Sequence, residues 1–135
     1  MPYEWDKSLE TGHKMIDNQH KQLVAALNAL IAACRSGQGH AEVANTMEFL
    51  AAYTIKHFAD EEKLQAQYDY PCYLDHKRYH EEFKITVRGL TEELLREGPT
   101  DEVADKISSV IGNWLVNHIK GDDFKMAAFV KTMEK

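Results

Sequence analysis

The sequence predicts an all-α protein: an antiparallel up-down-up-down four-helix bundle with an N-terminal arm and a short C-terminal tail. Two observations lead to this fold class. Four segments carry apolar residues at alternating spacings of three and four, which is the period of a helix with one buried stripe. The breaks between these segments are short and contain glycine and proline, and short connections join antiparallel neighbours.

The boundaries of the four segments follow from these breaks. "SGQG" at residues 36–39 interrupts the chain after the first segment, and "YDYP" places Pro71 in the first turn of the third. Gly98 and Pro99 end the third segment, and Thr100 is suited to cap the fourth. The predicted helices cover residues 17–36, 40–67, 71–96 and 101–120.

Length and composition restrict the class of protein. The 135 residues are expected to form a single domain over 1–135, with an arm (1–16), a bundle (17–123) and a tail (124–135) that can form a short helix. The net charge is −6 and the sequence has no basic stripe with interleaved aromatic residues, which excludes nucleic acid as a partner. The longest apolar run, "LVAALNALIAAC", is too short to span a bilayer, so no membrane association is expected.

Two further features indicate a cytoplasmic protein. The N-terminus, "MPYEWDKSLE", is polar and lacks the apolar run of a signal peptide. The two cysteines, Cys34 and Cys72, lie far apart and in no paired motif, which fits a reducing compartment better than a disulfide framework.

Histidines and one glutamate lie on the apolar stripes, where a core would normally exclude them. On the second helix, His57 and Glu61 keep the phase of Leu50 and Leu64. Two other histidines stand one turn apart on the third helix. The complete inward-facing set is His20, His57, Glu61, His76, His80 and His118. The remaining two histidines, His13 and His40, fall outside the stripes and are expected to be solvated.

The topology brings this set to one end of the bundle. His20 lies near the start of the first helix and His57 near the end of the second, while His76 and His118 occupy the matching ends of the third and fourth. A buried polar group without a partner costs a few kcal/mol, and the stripes supply too few partners for this layer. Imidazole and carboxylate together suit iron, zinc, copper or manganese, so the layer indicates a metal site.

A second carboxylate is expected from "NHIKGDD", and the spacing alone leaves its identity open. In a regular helix Asp122 lies about 40° around from His118, whereas Asp123 lies about 140° away, because each residue turns about 100°. Gly121 weakens this turn, and a single wide turn would carry Asp123 inward.

The chain resembles the hemerythrin family, most closely its single-domain bacterial members. The matching pieces are "IDNQHKQL", "HFADEE", "YPCYLDHKRYHEEF" and "WLVNHIKGDDFK", which span residues 16–125. The resemblance implies a bundle that holds two non-haem iron ions, bridged by an oxo or hydroxo group and by two carboxylates. By matching position, one iron would be bound by His76, His80 and His118 and the other by His20 and His57. Glu61 and Asp123 would bridge them, so the resemblance selects Asp123.

The resemblance also implies what the site does. Dioxygen would bind reversibly at the open position of the two-histidine iron, beside an apolar oxygen pocket of Leu23, Phe58, Trp114, Leu115 and Ile119. The protein would then be an oxygen-binding protein (a carrier, store or buffer) and not an enzyme, with an oxygen-consuming enzyme or a reductase as a further partner. The alternatives are a di-iron enzyme (a peroxidase, an oxidase or a nitric-oxide-handling protein) and an oxygen or redox sensor. Gln65 departs from the pattern, because bacterial relatives commonly have methionine there.

Overall fold

The computed structural model describes residues 3–36 and 40–134, except for the side chain of His40. Within those ranges the chain forms helices and turns. The bundle helices are α1 (Lys14–Arg35), α2 (His40–Gln67), α3 (Tyr73–Glu97) and α4 (Asp101–His118). A π-turn (Ile119–Asp123) leads directly into a fifth helix, α5 (Phe124–Met133), and a single 3-10 turn (Lys7–Leu9) lies in the arm.

Packing between the helices confirms the four-helix bundle. Helix α1 packs against α2 and α4, α2 packs against α3, and α3 packs against α4. This is the closed ring of neighbours that an up-down-up-down bundle requires. In the described part of the chain, no helix is both long enough and apolar enough to cross a membrane.

The ends of the helices match the sequence signals with small shifts. The Thr100 side chain accepts a hydrogen bond from Val103 N at 3.1 Å, which caps α4 as predicted. Gly98 ends α3 with φ +84°, a backbone conformation that side chains disfavour. Pro71 lies just before α3 and not in its first turn, since the helix begins at Tyr73.

Helix α1 begins at Lys14, earlier than predicted, because the arm turns into it through polar contacts. The Asp17 carboxylate accepts hydrogen bonds from both Thr11 N and Thr11 Oγ1 at 2.8 Å. The prediction that His13 is solvated is wrong. Its ring accepts a hydrogen bond from Ile16 N at 3.5 Å as the N-cap of α1, and its Nε2 lies 3.7 Å from Glu134. The same prediction for His40 lies outside the described side chains.

Two apolar clusters bracket one end of the bundle. The larger cluster fills the bundle interior and includes Leu23, Phe58 and Ile119. The smaller one closes the end with side chains from α1, the α2–α3 turn and α5: Ile16, Tyr70, Met126, Ala127 and Val130. The tail therefore forms a helix that covers the bundle end, and the inward-facing polar residues lie between the two clusters.

Candidate metal centre

Seven buried polar side chains meet in the layer between the two apolar clusters. They come from every bundle helix and from the π-turn, which is why the sequence distance between the first and the last exceeds one hundred residues. Each is at most 5 % exposed to solvent. The set is His20 from α1, His57 and Glu61 from α2, His76 and His80 from α3, His118 from α4, and Asp123 from the π-turn.

These side chains form two groups that could each hold a cation, with the donor atoms of each group within 4.8 Å of one another. The first group contains three histidines and the second contains two. Both groups include the same two carboxylates. The first group is Glu61, His76, His80, His118 and Asp123; the second is His20, His57, Glu61 and Asp123.

Each shared carboxylate turns one oxygen toward each group. Glu61 Oε2 lies 3.0 Å from His57 Nε2, while Glu61 Oε1 lies 3.2 Å from His80 Nε2. Asp123 Oδ2 lies 2.9 Å from His20 Nε2, while Asp123 Oδ1 lies 2.9 Å from His76 Nε2. This is the arrangement that a carboxylate bridging two cations requires.

Among the described residues, most of the donor atoms have no hydrogen bond, the exception being the 3.1 Å contact between His118 Nε2 and His76 Nε2. Within residues 3–36 and 40–134, both oxygens of Glu61 and of Asp123, and the Nε2 atoms of His20 and His80, are buried without a hydrogen bond of acceptable geometry. Leaving so many buried lone pairs unsatisfied is costly. Two cations with mixed nitrogen and oxygen coordination would satisfy them, so the residues fit a pair of metal ions.

The π-turn decides between the two adjacent aspartates. It widens the last turn of α4, so that Asp123 is 1 % exposed and lies in the layer. Asp122 remains near the surface, where its Oδ2 accepts a hydrogen bond from His118 Nδ1 at 2.8 Å. A Cβ atom at Gly121 would meet nothing within 4 Å. Its contribution is therefore the low helix propensity of glycine and not close packing.

Outer hydrogen-bond partners orient three of the five histidines, and the sequence argument assigned this role to none of them. Besides Asp122 at His118, the Gln19 Oε1 atom lies 2.7 Å from His57 Nδ1, and Glu62 Oε2 lies 2.9 Å from His80 Nδ1. Such partners fix the ring orientation and leave Nε2 for a metal ion. Their only sequence signal is position, since each directly precedes or follows an inward-facing residue.

The carboxylates shift the pKa values of the surrounding imidazoles. Burial lowers the pKa of His20 and of His76, but the adjacent carboxylates of Asp123 and Glu61 outweigh burial and raise both pKa values to about 9. Burial also lowers the pKa of His118, but the carboxylates of Asp123, Asp122 and Glu61 outweigh burial and raise this pKa to about 10. Burial raises the pKa of Glu61, but the histidines around it hold this pKa well below its ordinary value. The metal-free layer therefore holds protons where a cation would sit.

Apolar and aromatic side chains cover the layer on the interior side. The Phe58 ring stacks on His80 with 3.8 Å between centroids, and the Trp114 ring stacks on His118 at 4.3 Å. Leu23, Leu115 and Ile119 are buried nearby in the larger apolar cluster. Of the five residues expected to form an oxygen pocket, four are buried and Trp114 is half-buried.

Gln65 lies one helical turn beyond Glu61 on α2 and is fully buried. Its Oε1 and Nε2 atoms have no hydrogen-bond partner among the described residues. It belongs to neither donor group.

A four-helix bundle with this layer of histidines and shared carboxylates defines a cation-binding protein built around paired metal positions. The family model described as "Hemerythrin HHE cation binding domain" matches residues 11–130. The chain belongs to the hemerythrin family.

Individual relatives agree with this membership. A bacteriohemerythrin of Pseudomonas paraeruginosa is 39 % identical over 119 residues, which cover 88 % of this chain and 75 % of the relative. A myohemerythrin of Sipunculus nudus is 36 % identical over 124 residues, covering 92 % of this chain and 90 % of the relative. A crystal structure of wild-type hemerythrin shares the fold with a TM-score of 0.82 at 22 % identity, covering 96 % of this chain and 98 % of that one. Family membership supports a hemerythrin-type iron- and oxygen-binding role.

Proposed function

We propose that this protein binds dioxygen reversibly at a pair of non-haem iron ions, as an oxygen carrier, store or buffer. His76, His80 and His118 would hold one ion, His20 and His57 would hold the other, and Glu61 and Asp123 would bridge them. When bound, the iron pair supplies the two electrons that reversible dioxygen binding requires. The observation that carries the proposal is the pair of unequal donor groups that share both carboxylates.

The inequality of the two groups determines where a small molecule binds. The group with His20 and His57 offers one donor fewer than the group with three histidines. An ion of the same coordination number held there keeps one more position for a ligand. We therefore assign dioxygen to the side of the layer where α1 and α2 supply the histidines.

The residues around the group with His20 and His57 favour reversible binding of dioxygen over its reduction. Leu23 follows His20 by three residues on α1, and the Phe58 ring lies 5.9 Å from the His57 ring while it stacks on His80; both side chains are buried. Leu115 and Ile119 add apolar surface from α4 and the π-turn. None of these four side chains can donate a proton, and an apolar wall keeps water from the site. A bound dioxygen would then leave unchanged and would not be released as a reduced product.

The charge of the donor set also favours reversible binding of dioxygen. Five histidines and two carboxylates leave the iron pair less anionic than the glutamate-rich sites of ferritin-like proteins. A less anionic site stabilises the ferrous ions. It therefore disfavours their irreversible oxidation by dioxygen.

The test is a dioxygen titration of anaerobic, ferrous-loaded protein, followed by removal of the gas under vacuum. We expect two iron ions per chain and a coloured complex that forms with dioxygen and disappears without it. A pair of variants tests the ligand role of His57: His57→Ala should abolish the complex, whereas Arg78→Ala, on the surface of α3, should leave it unchanged. Immediate irreversible oxidation, or steady turnover with an added electron donor, would instead support a di-iron enzyme.

A further inference from the structure

The second nitrogen of His20 differs from those of its neighbours in the layer. The Nδ1 atoms of His57, His80 and His118 each lie within 2.9 Å of an acceptor side chain. His76 borders a small surface pocket that solvent can enter. His20 is 0 % exposed, and its Nδ1 atom finds no hydrogen-bond partner in residues 3–36 or 40–134.

Trp5 packs beside His20, and its ring also contains a buried polar nitrogen. The Trp5 ring lies 6.4 Å from the His20 ring, measured between centroids, at an angle of 47°. Its Nε1 atom is buried and likewise lacks a partner in the part of the chain that the structure describes. Two neighbouring rings rarely both bury a nitrogen without a hydrogen-bond partner by chance, because each such nitrogen costs free energy to bury.

Trp5 is held in this position because the N-terminal arm forms hydrogen bonds with the bundle. Tyr3 N donates to Asn28 Oδ1 at 2.8 Å, and Asn28 Nδ2 donates back to Tyr3 O at 2.7 Å. The Tyr3 hydroxyl donates to Ser108 O at 2.8 Å. It rests against Gly112, where an added Cβ would lie 2.0 Å from that hydroxyl. The arm is therefore fastened to α1 and α4, with room made for it by the absence of a side chain.

The chemistry of the two nitrogens restricts the kind of group that could join them. An imidazole that binds a metal through Nε2 carries its proton on Nδ1, so His20 Nδ1 is then a donor. The indole Nε1 of Trp5 is always a donor. Two donors cannot satisfy each other and need a common acceptor, and buried water commonly fills this role between protein groups.

We propose that Trp5 is a positioning residue for His20, acting through one buried water whose oxygen accepts hydrogen bonds from both Trp5 Nε1 and His20 Nδ1. The N-terminal arm then completes the set of outer partners around the metal centre. Because linkage is reciprocal, metal binding at His20 and seating of the arm stabilise each other by the same factor. This inference rests on the proposed ligand role of His20, but it does not depend on dioxygen.

The test uses the full-length protein loaded with Zn²⁺, a diamagnetic ion that the same donor set can accept. In nitrogen-15 NMR spectra we expect slow hydrogen exchange at both Trp5 Nε1–H and His20 Nδ1–H, and a crystal structure should place one water within hydrogen-bond distance of both. Trp5→Phe keeps an aromatic ring but removes the donor. It should accelerate exchange at His20 Nδ1–H and weaken zinc binding by roughly tenfold, the lower end for loss of an outer partner.

Tyr3→Phe is the matched control, because it loosens the arm without removing the indole donor. It should change exchange at His20 Nδ1–H much less than Trp5→Phe. Equal effects of the two variants, unchanged exchange in Trp5→Phe, or a protein acceptor in place of the water would overturn the inference. Zinc binding that leaves His20 without a metal would overturn it together with the proposed metal site. Loss of reversible dioxygen binding alone, with the water in place, would overturn only the proposed function.

Discussion

Asp122 and Asp123 are adjacent in the chain but serve different nitrogens: Asp122 accepts a hydrogen bond from His118 Nδ1, and Asp123 lies against His20 and His76 Nε2. The π-turn makes this division, since a regular helix would place Asp123 about 140° around from His118 and away from the layer. The same histidine, His118, is thereby held from both sides, with its Nε2 3.3 Å from Asp123.

The two aspartates should differ sharply when each is changed to asparagine. Asp123→Asn removes a charge that faces both donor groups, so we expect the iron content per chain to fall at both positions. Asp122→Asn weakens only the outer hydrogen bond of His118, and should keep the stoichiometry while lowering affinity by roughly tenfold. Metal analysis of protein loaded with ferrous ion without air measures both. The opposite ranking would show that the wide turn does not persist in solution.

Gln65→Met should stabilise the metal-free protein. Gln65 buries two polar atoms without a partner among the described residues, and methionine removes them at similar volume. We expect the free energy of unfolding to rise by about 1–3 kcal/mol, the usual cost of a buried unsatisfied group. Urea unfolding of metal-free protein measures the change.

Gln19→Met is the matched control for Gln65. Both ends of the Gln19 amide are paired, with His57 Nδ1 at 2.7 Å and with Asp60 at 2.8 Å, so this variant should lose stability. A loss of stability in Gln65→Met as well would mean that its amide is hydrogen-bonded in solution.

The metal-free protein should lose stability as the pH rises above neutrality. The pKa values of His20 and His76 are about 9 and that of His118 is about 10, all above the ordinary value of 6.5. The folded state therefore holds these protons more tightly than the unfolded chain. Their contribution is complete below pH 6.5 and disappears as the pH rises through 9 to 10. Urea unfolding across this range should show a loss on the order of a few kcal/mol.

Metal binding should show the opposite dependence on pH. A cation must displace the protons that these histidines hold, so its affinity should increase as the pH rises through the same range. Zinc titrations at several pH values, with proton release measured alongside, test this. An affinity that does not change with pH would contradict the raised pKa values.

Leu115→Ala should speed oxidation of the iron centre in air. The substitution opens the apolar wall beside the proposed dioxygen position and admits water. Leu90→Ala is the control, because Leu90 is also a buried leucine of the larger cluster but lies about ten residues beyond His80 along α3, or roughly 15 Å. Both variants should lose about 2–5 kcal/mol of stability, and only Leu115→Ala should oxidise faster. Visible absorption measures the oxidation rate. Equal rates in the two variants would show that Leu115 does not line the pocket.

The sequence predicted the bundle and most of the layer because both depend on helical phase. A residue such as His57 shares the period of Leu50 and Thr54, and burial of all three follows from one rotation of the helix. The shared end of the bundle followed from antiparallel topology alone. The same reasoning could not choose between Asp122 and Asp123, because periodicity assumes about 100° per residue and a wide turn breaks that assumption.

The remaining features depend on contacts between elements, which periodicity does not encode. Helical period does not single out Gln19 or Glu62, because their hydrogen-bond partners come from neighbouring helices. The arm has no period, so the position of Trp5 beside His20 could not be anticipated. The solvated interpretation of His13 failed for the same reason, since Glu134 approaches it from the far end of the chain.

The donors come from all four bundle helices, yet every one of them lies at the same end. A bound metal pair is therefore a cross-link that ties residue 20 to residue 123 and closes the long segments between them, which restricts the unfolded chain. Among the residues that the structure describes, the opposite end of the bundle has no such donor group. Amide hydrogen exchange should consequently decrease along each bundle helix toward the metals.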